Sequence, residues 1–195
     1  MTSAKKALRY FKQIKSVKSP NNPFAMVSKR DQDNFYDVIR PTMNTVVDSM
    51  DKASEHGLGN CDEKGKICYL ALASDPMLRG SGSYPTLCSA IDYDHVFVVV
   101  TNFELGFDSP TNLGGLGLTA MVVDGWTEDW YFPNTDILTT KHYGFGNTPN
   151  PRQLVVRCNI KSHNFERYFG WELDPNGNYT DNQGRTFSKV APQIL

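Results

Sequence analysis

The sequence predicts an α+β domain in which N-terminal helices precede an antiparallel sheet. Three observations carry this. Apolar residues recur at three- and four-residue steps through the first seventy or so positions. From about residue 86 the chain changes to short runs rich in Val, Phe and Thr. Clusters of Gly, Pro, Asn and Asp separate those runs, with no helical spacing between them.

The elements follow in order. Residues 3–18 place Ala4, Ala7, Leu8, Phe11, Ile14 and Val17 on one helical face and lysines on the other. Such a helix docks on the body or touches an anionic membrane surface, and docking is the first expectation. Ser19-Pro20-Asn21-Asn22-Pro23 breaks it. From Asp31 to His56, Phe35, Val38, Ile39, Met43, Val46, Val47, Met50 and Ala53 repeat at helical spacing. Pro41 means that this helix kinks or that a second begins there, and Gly57 and Gly59 end it. A third helix starts at Cys61 and carries Ile67, Tyr69, Leu70, Ala71 and Ala73, with Asp75-Pro76 as its stop and Gly80 to Ser83 as a turn. Strands are expected over Thr86–Tyr93, His95–Thr101, Thr119–Asp124, Trp130–Phe132 and Gln153–Cys158, and a hairpin turn at Asp174 to Asn178. The Gly-rich stretch Gly106–Gly117 lacks the lysine and the strand-to-helix setting of a phosphate loop, so it is given no nucleotide role. The 174–178 turn lacks the alternating carboxylates and closing Glu of a calcium loop.

The 195 residues suit one domain. Residues 1–30 form a basic tail of charge +8 with no acid, and residues 31–195 a single acidic body of charge −9. A uniformly basic body, the footprint of a nucleic-acid binder, is absent, so no nucleic-acid partner is expected. No apolar run approaches a membrane span, and no apolar block follows the first lysines as in a signal peptide, so the chain is expected to be cytoplasmic in the cell that makes it. Cys61, Cys68, Cys88 and Cys158 lack zinc-ligand spacing and do not cluster with His56, His95, His142 or His163, so four reduced thiols and no metal or organic cofactor are expected.

Three places combine into chemistry. Gly59-Asn60-Cys61 opens a helix, where free N–H groups and the helix dipole favour a thiolate. Asp62 and Glu63 oppose that thiolate by charge and are expected to face solvent. His95 opens the strongest strand, which holds its backbone and leaves the ring free to act as a base. Asp124 closes Met121-Val122-Val123-Asp124 and could accept the second ring N–H of His95, fixing its tautomer. Each residue alone has an ordinary reading: a small core thiol, a locally bonded ring, a turn acid. Their conjunction points to nucleophilic catalysis by Cys61 with His95 as base and Asp124 as orienter. His56 competes for the base but lacks a strand to hold it. Cys68, Cys88 and Cys158 read as core, and His142 and His163 as surface loop residues.

The order Cys61, His95, Asp124, spaced 34 and 29 residues apart, resembles the papain-like cysteine hydrolases, and more narrowly the compact Cys-His-Asp effector enzymes of bacteria. The carrying residues are Gly59-Asn60-Cys61 with Tyr69-Leu70-Ala71-Leu72, Asp94-His95-Val96-Phe97-Val98-Val99-Val100 and Val122-Val123-Asp124-Gly125-Trp126. The resemblance spans roughly residues 31–132. It implies a papain-like fold, a protein substrate in a host cell, delivery without a classical signal peptide, and protease, glutamine deamidase or transglutaminase-like chemistry. The family's oxyanion-hole Gln, six positions before the cysteine, is replaced here by Glu55, so the Cys61 backbone N–H and the Asn60 side chain are the expected donors. Trp126 and Trp130, just past Asp124, are expected to wall a narrow pocket for a Gln side chain. The alternative from another class is a non-catalytic binding module tethered by its basic tail, with Cys61 inert.

Overall fold

A computed structural model describes residues 2–13, 17–21, 25–44, 46–73, 75–91, 94–106 and 111–133, and the strand segments 153–159, 172–173, 178–180 and 186–188. His142, His163, Asp92 and Tyr93, turn residues 174–177 and the Cys158 side chain lie outside the described set.

The order is helices first, sheet after. Helix α1 spans Thr2–Gln13 and buries Ala4 and Ala7 against the central helix. Small side chains let the two helices approach closely. Lys18 then forms a parallel bridge with Leu58, tying the N-terminal segment to the turn that precedes Cys61. The expected 31–56 helix is divided. Helix α2 (Lys29–Asn34), capped by Ser28, runs into a π-helical turn at Phe35–Ile39 and a single 3₁₀ turn at Arg40–Thr42, and α3 (Val46–His56) begins afresh. Pro41 therefore marks a boundary, as its missing N–H and fixed φ require.

Helix α4 (Cys61–Ala73) is the hub of the molecule. It is buried nearly all round because α1 and α3 cover one side and the sheet the other. Gly65 makes the sheet contact possible: a Cβ there would lie 3.0 Å from Val96 Cγ1 and 3.3 Å from Val96 O. Asp75-Pro76 ends α4 but also starts a short helix, α5 (Pro76–Gly80), because Asp75 caps the Met77 N–H and proline suits a first helical turn.

Six strands, β1 (Tyr84–Ala90), β2 (Val96–Thr101), β3 (Thr111–Asn112), β4 (Met121–Asp124), β5 (Asp129–Tyr131) and β6 (Gln153–Asn159), form an antiparallel sheet in the order β3-β6-β1-β2-β4-β5. Strands β7 (Glu172–Leu173), β8 (Asn178–Thr180) and β9 (Thr186–Ser188) make a separate three-stranded sheet, and the β7–β8 pairing brackets the expected 174–178 turn. Within the Gly-rich 106–117 stretch stand β3 and a 3₁₀ turn at Leu113–Gly115.

The large sheet is buried on both faces, which explains the unbroken apolar run of β2. Leu87, Val96, Val98, Val100, Met121 and Val123 face α4 and α1. The alternate residues Cys88, Phe97, Val99 and Val122 face a second core closed by Leu105, Leu113, Leu116 and Leu154. The α+β class is thus as expected: N-terminal helices followed by a six-stranded antiparallel sheet. Among the described residues, no helix is long and apolar enough to cross a membrane.

Candidate active site

The site lies where α4 begins and β2 and β4 meet it. Cys61 is the first residue of α4, and the preceding Gly59 admits close packing: a Cβ there would stand 3.0 Å from Glu63 Cβ and 3.1 Å from Val17 Cγ1. His95 directly precedes β2, where its carbonyl accepts the Ala90 N–H at 3.0 Å and registers it to the ladder. Asp124 ends β4, the neighbour of β2. Two adjacent antiparallel strands and the helix packed on them therefore bring together residues far apart in sequence.

His95 Nε2 lies 2.7 Å from Asp124 Oδ2, and both side chains are buried. The Cys61 side chain also acts on the ring, favouring its charged form. With Nε2 committed to Asp124, Nδ1 is the nitrogen left for the thiol. Burial opposes a charged imidazole, but the Asp124 carboxylate outweighs it by charge and hydrogen bond, with Cys61 adding to the effect, and the His95 pKa rises to about 10. At neutral pH this favours an imidazolium paired with the Asp124 carboxylate.

Asp124 is held from its other oxygen. Oδ1 accepts the N–H groups of Trp126 at 2.8 Å and Thr127 at 3.3 Å, folding the turn back onto the carboxylate. That turn presses on α4 at Gly125, where a Cβ would lie 2.8 Å from both Lys64 O and Cys68 Sγ. Phe97 stacks on the His95 ring at 5.7 Å and Trp126 stands edge-on to it at 6.0 Å.

The start of α4 is built differently from expectation. Glu63 does not face solvent: it is 1 % exposed, and its Oε2 accepts the Asn60 N–H at 2.8 Å, the N3-to-N-cap half of a capping box. Its Oε1 meets Arg40 Nε at 3.1 Å. Asp62 pairs with Lys66 at 2.8 Å and lies 3.8 Å from Arg157. Pairing with cations rather than exposure removes the charge conflict that placed these acids in solvent. The Asn60 side chain is buried, donates from Nδ2 to the Tyr36 hydroxyl at 2.9 Å and accepts at Oδ1 from Asn21 N at 3.4 Å.

A cavity of about 390 Å³ opens beside Cys61, lined by Asn21, Tyr36, Arg40, Asn60, Asp62, Asp94, Val96 and Arg157. The two tryptophans expected to wall it are placed elsewhere: Trp126 sits against His95, and Trp130, paired with Val123 across β4–β5, packs its ring on Phe132. The aromatic at the cavity is Tyr36, from the π-helical turn. Tyr36 and Arg40 were missed because a π turn leaves no periodic signature, although such turns often mark functional sites. Arg157 arrives on β6, whose pairing with β1 is long-range and unreadable locally. His56 lies apart, half-exposed beside Glu55 and lining a different cavity with Lys18 and Met26.

Cys68 and Cys88 are fully buried, and burial pushes the Cys68 thiol up to about 12 and Cys88 higher still. Among the described residues, no group of three or more His, Cys, Asp or Glu side chains is placed to hold a metal ion. Compared with protein-family models, curated proteins and solved structures, the chain matches none.

Proposed function

We propose that this chain is a thiol hydrolase with papain-like design, acting on amide groups of a protein substrate. The single observation that carries the reading is the buried His95–Asp124 pair, with Cys61 acting on the same ring from a helix N-terminus. The Cys61 thiolate, paired with the His95 imidazolium, attacks the substrate carbonyl carbon. The carbonyl electrons move to oxygen, which the Cys61 N–H faces as one of the helix donors without an intrahelical acceptor. Collapse of this intermediate breaks the C–N bond while His95 protonates the departing nitrogen, leaving a thioester on Cys61. Water then attacks, His95 takes its proton, and the carboxylate product leaves as the thiolate reforms. Asp124 holds the imidazole in one tautomer throughout.

Side-chain amide chemistry on glutamine suits the cavity best. Arg40 and Arg157 there are balanced by Asp62 and Asp94, a polar and charge-compensated lining that favours a neutral carboxamide over a charged group. Ammonia is then the leaving group and a glutamate the product at an unbroken chain. An amine in place of water at the second step would give a crosslink by the same thioester. Candidate proteins treated with wild type and Cys61→Ala, then read by mass spectrometry, test this directly. The expected result is a deamidation shift present only with wild type. Full activity in Cys61→Ala would refute the mechanism, and a new substrate N-terminus would convert the reading to a protease.

A further inference from the structure

The proposed chemistry needs a second donor for the developing oxyanion, and the hydrogen bonds around Asn60 point to where it comes from. The Asn60 backbone N–H is already taken by Glu63 Oε2. Its side-chain orientation follows from its partners: Asn21 offers an N–H, which only Oδ1 can accept, so Nδ2 must face Tyr36. The Tyr36 hydroxyl takes one Nδ2 hydrogen at 2.9 Å. An amide nitrogen has two, and Asn60 and Cys61 line the same cavity. Tyr36 is itself supported, since its ring packs edge-on to the buried Phe35 at 5.3 Å and lies under the Arg40 guanidinium at 5.9 Å. The Arg40–Glu63 pair in turn holds the Asn60 main chain. The amide is thus fixed from both of its ends before any substrate arrives.

We infer that the second Nδ2 hydrogen of Asn60 is the partner of the Cys61 N–H in the oxyanion hole, and that Tyr36 is the positioning residue that holds it there. This rests on the thiol-hydrolase reading. The inference assigns a role to the π-helical turn, which presents both Tyr36 and, one residue past its end, Arg40 to the cavity.

Two probes of Cys61 separate the roles. p-Nitrophenyl acetate acylates a thiolate through a tetrahedral oxyanion: the S–C bond forms, the aryl ester C–O bond breaks, and p-nitrophenolate leaves with the electron pair. Iodoacetamide alkylates the same sulfur by displacement of iodide and develops no oxyanion. In Asn60→Ala the acylation burst should slow about 10²- to 10³-fold, the usual loss for one donor, while the alkylation rate stays within about twofold of wild type. Tyr36→Phe keeps the ring and its packing and removes only the anchor; it should slow acylation by a smaller factor, on the order of ten, with alkylation unchanged. If Asn60→Ala does not fold, Tyr36→Phe alone decides. Equal losses in both reactions, or no loss in acylation, would overturn the assignment of Asn60 and Tyr36 while leaving the nucleophile intact. A wild-type Cys61 that alkylates no faster than free cysteine would instead overturn the hydrolase reading, and the inference with it.

Discussion

Gly125 is the point where the Asp124 turn bears on the helix that carries Cys61, and an alanine there isolates that contact. The new Cβ would lie 2.8 Å from Lys64 O, 2.8 Å from Cys68 Sγ and 3.1 Å from Lys64 C, where ordinary contact begins at 3.4 Å. A gap of about 0.6 Å must therefore open, and neither neighbour yields cheaply: one is a helix carbonyl, the other a fully buried sulfur. Backbone conformation plays no part, because Gly125 is not among the residues with positive φ. The expected cost is that of overpacking, about 1–3 kcal/mol. It should appear as a lower urea midpoint at unchanged m-value. The displacement also falls between Cys61 and Asp124, so iodoacetamide should label Cys61 more slowly in the folded variant. Gly80→Ala is the control, since nothing lies within 4 Å of a Cβ there. A Gly125→Ala midpoint within about 0.5 kcal/mol of wild type, with labelling unchanged, would refute the claim that this turn and α4 are in hard contact.

The remaining expectations concern protons, thiols and the helix cap. The His95 imidazole should titrate near pH 10 by NMR, and in Asp124→Asn it should titrate well below that, because burial then loses the largest effect that compensates it. The raised folded pKa gives a stability contribution that is complete below about pH 6.5 and lost as pH rises toward 10, amounting to roughly 5 kcal/mol at most; denaturant midpoints that rise across that window would contradict the sign. Iodoacetamide at neutral pH should modify Cys61 selectively and reach Cys68 and Cys88 only in denaturant, which peptide mapping can check. Glu63→Ala should destabilise by about 2 kcal/mol, because it removes the acceptor of the Asn60 N–H and the partner of Arg40, and Glu63→Gln should recover part of that loss; equal urea midpoints for the two variants would argue against the cap.

The site was legible in the sequence to the extent that it depends on element ends. Gly59-Asn60-Cys61 follows a helix-stopping glycine, His95 heads a Val-rich run, and Asp124 closes a shorter apolar one; each position is set by local propensity, and the structure starts α4 at Cys61 and ends β4 at Asp124. What was illegible depends on partners distant in sequence. Glu63 looks like a solvent-facing acid until Arg40, twenty-three residues earlier, is placed beside it. The tryptophans following Asp124 seemed close to the thiol because they are close to the aspartate. The β4–β5 hairpin instead packs Trp130 on Phe132 at the edge of the core under α4, and Trp126 turns onto the histidine, so neither lines the cavity beside Cys61. The split of the 31–56 segment into α, π and 3₁₀ turns follows from Pro41 and buried Phe35 and Ile39, a balance that apolar spacing alone does not resolve.

The line from Cys61 through His95 to Asp124 crosses from one layer of the molecule to the other. The sulfur belongs to the helical layer, and the imidazole and carboxylate to the sheet. Packing joins the two layers here, through Gly65 on Val96 and the 124–125 turn on Lys64, with the Asp62–Arg157 ion pair beside it. A fluctuation that merely lifts α4 from the sheet would leave each layer's own hydrogen bonds intact and still part Cys61 from His95. The thiol–imidazole pair is therefore a gauge of docking. A growing chain that has emerged only as far as Asp94 carries Cys61 without His95, and the two come together only after β2 and β4 have joined the sheet and the helix has settled on them.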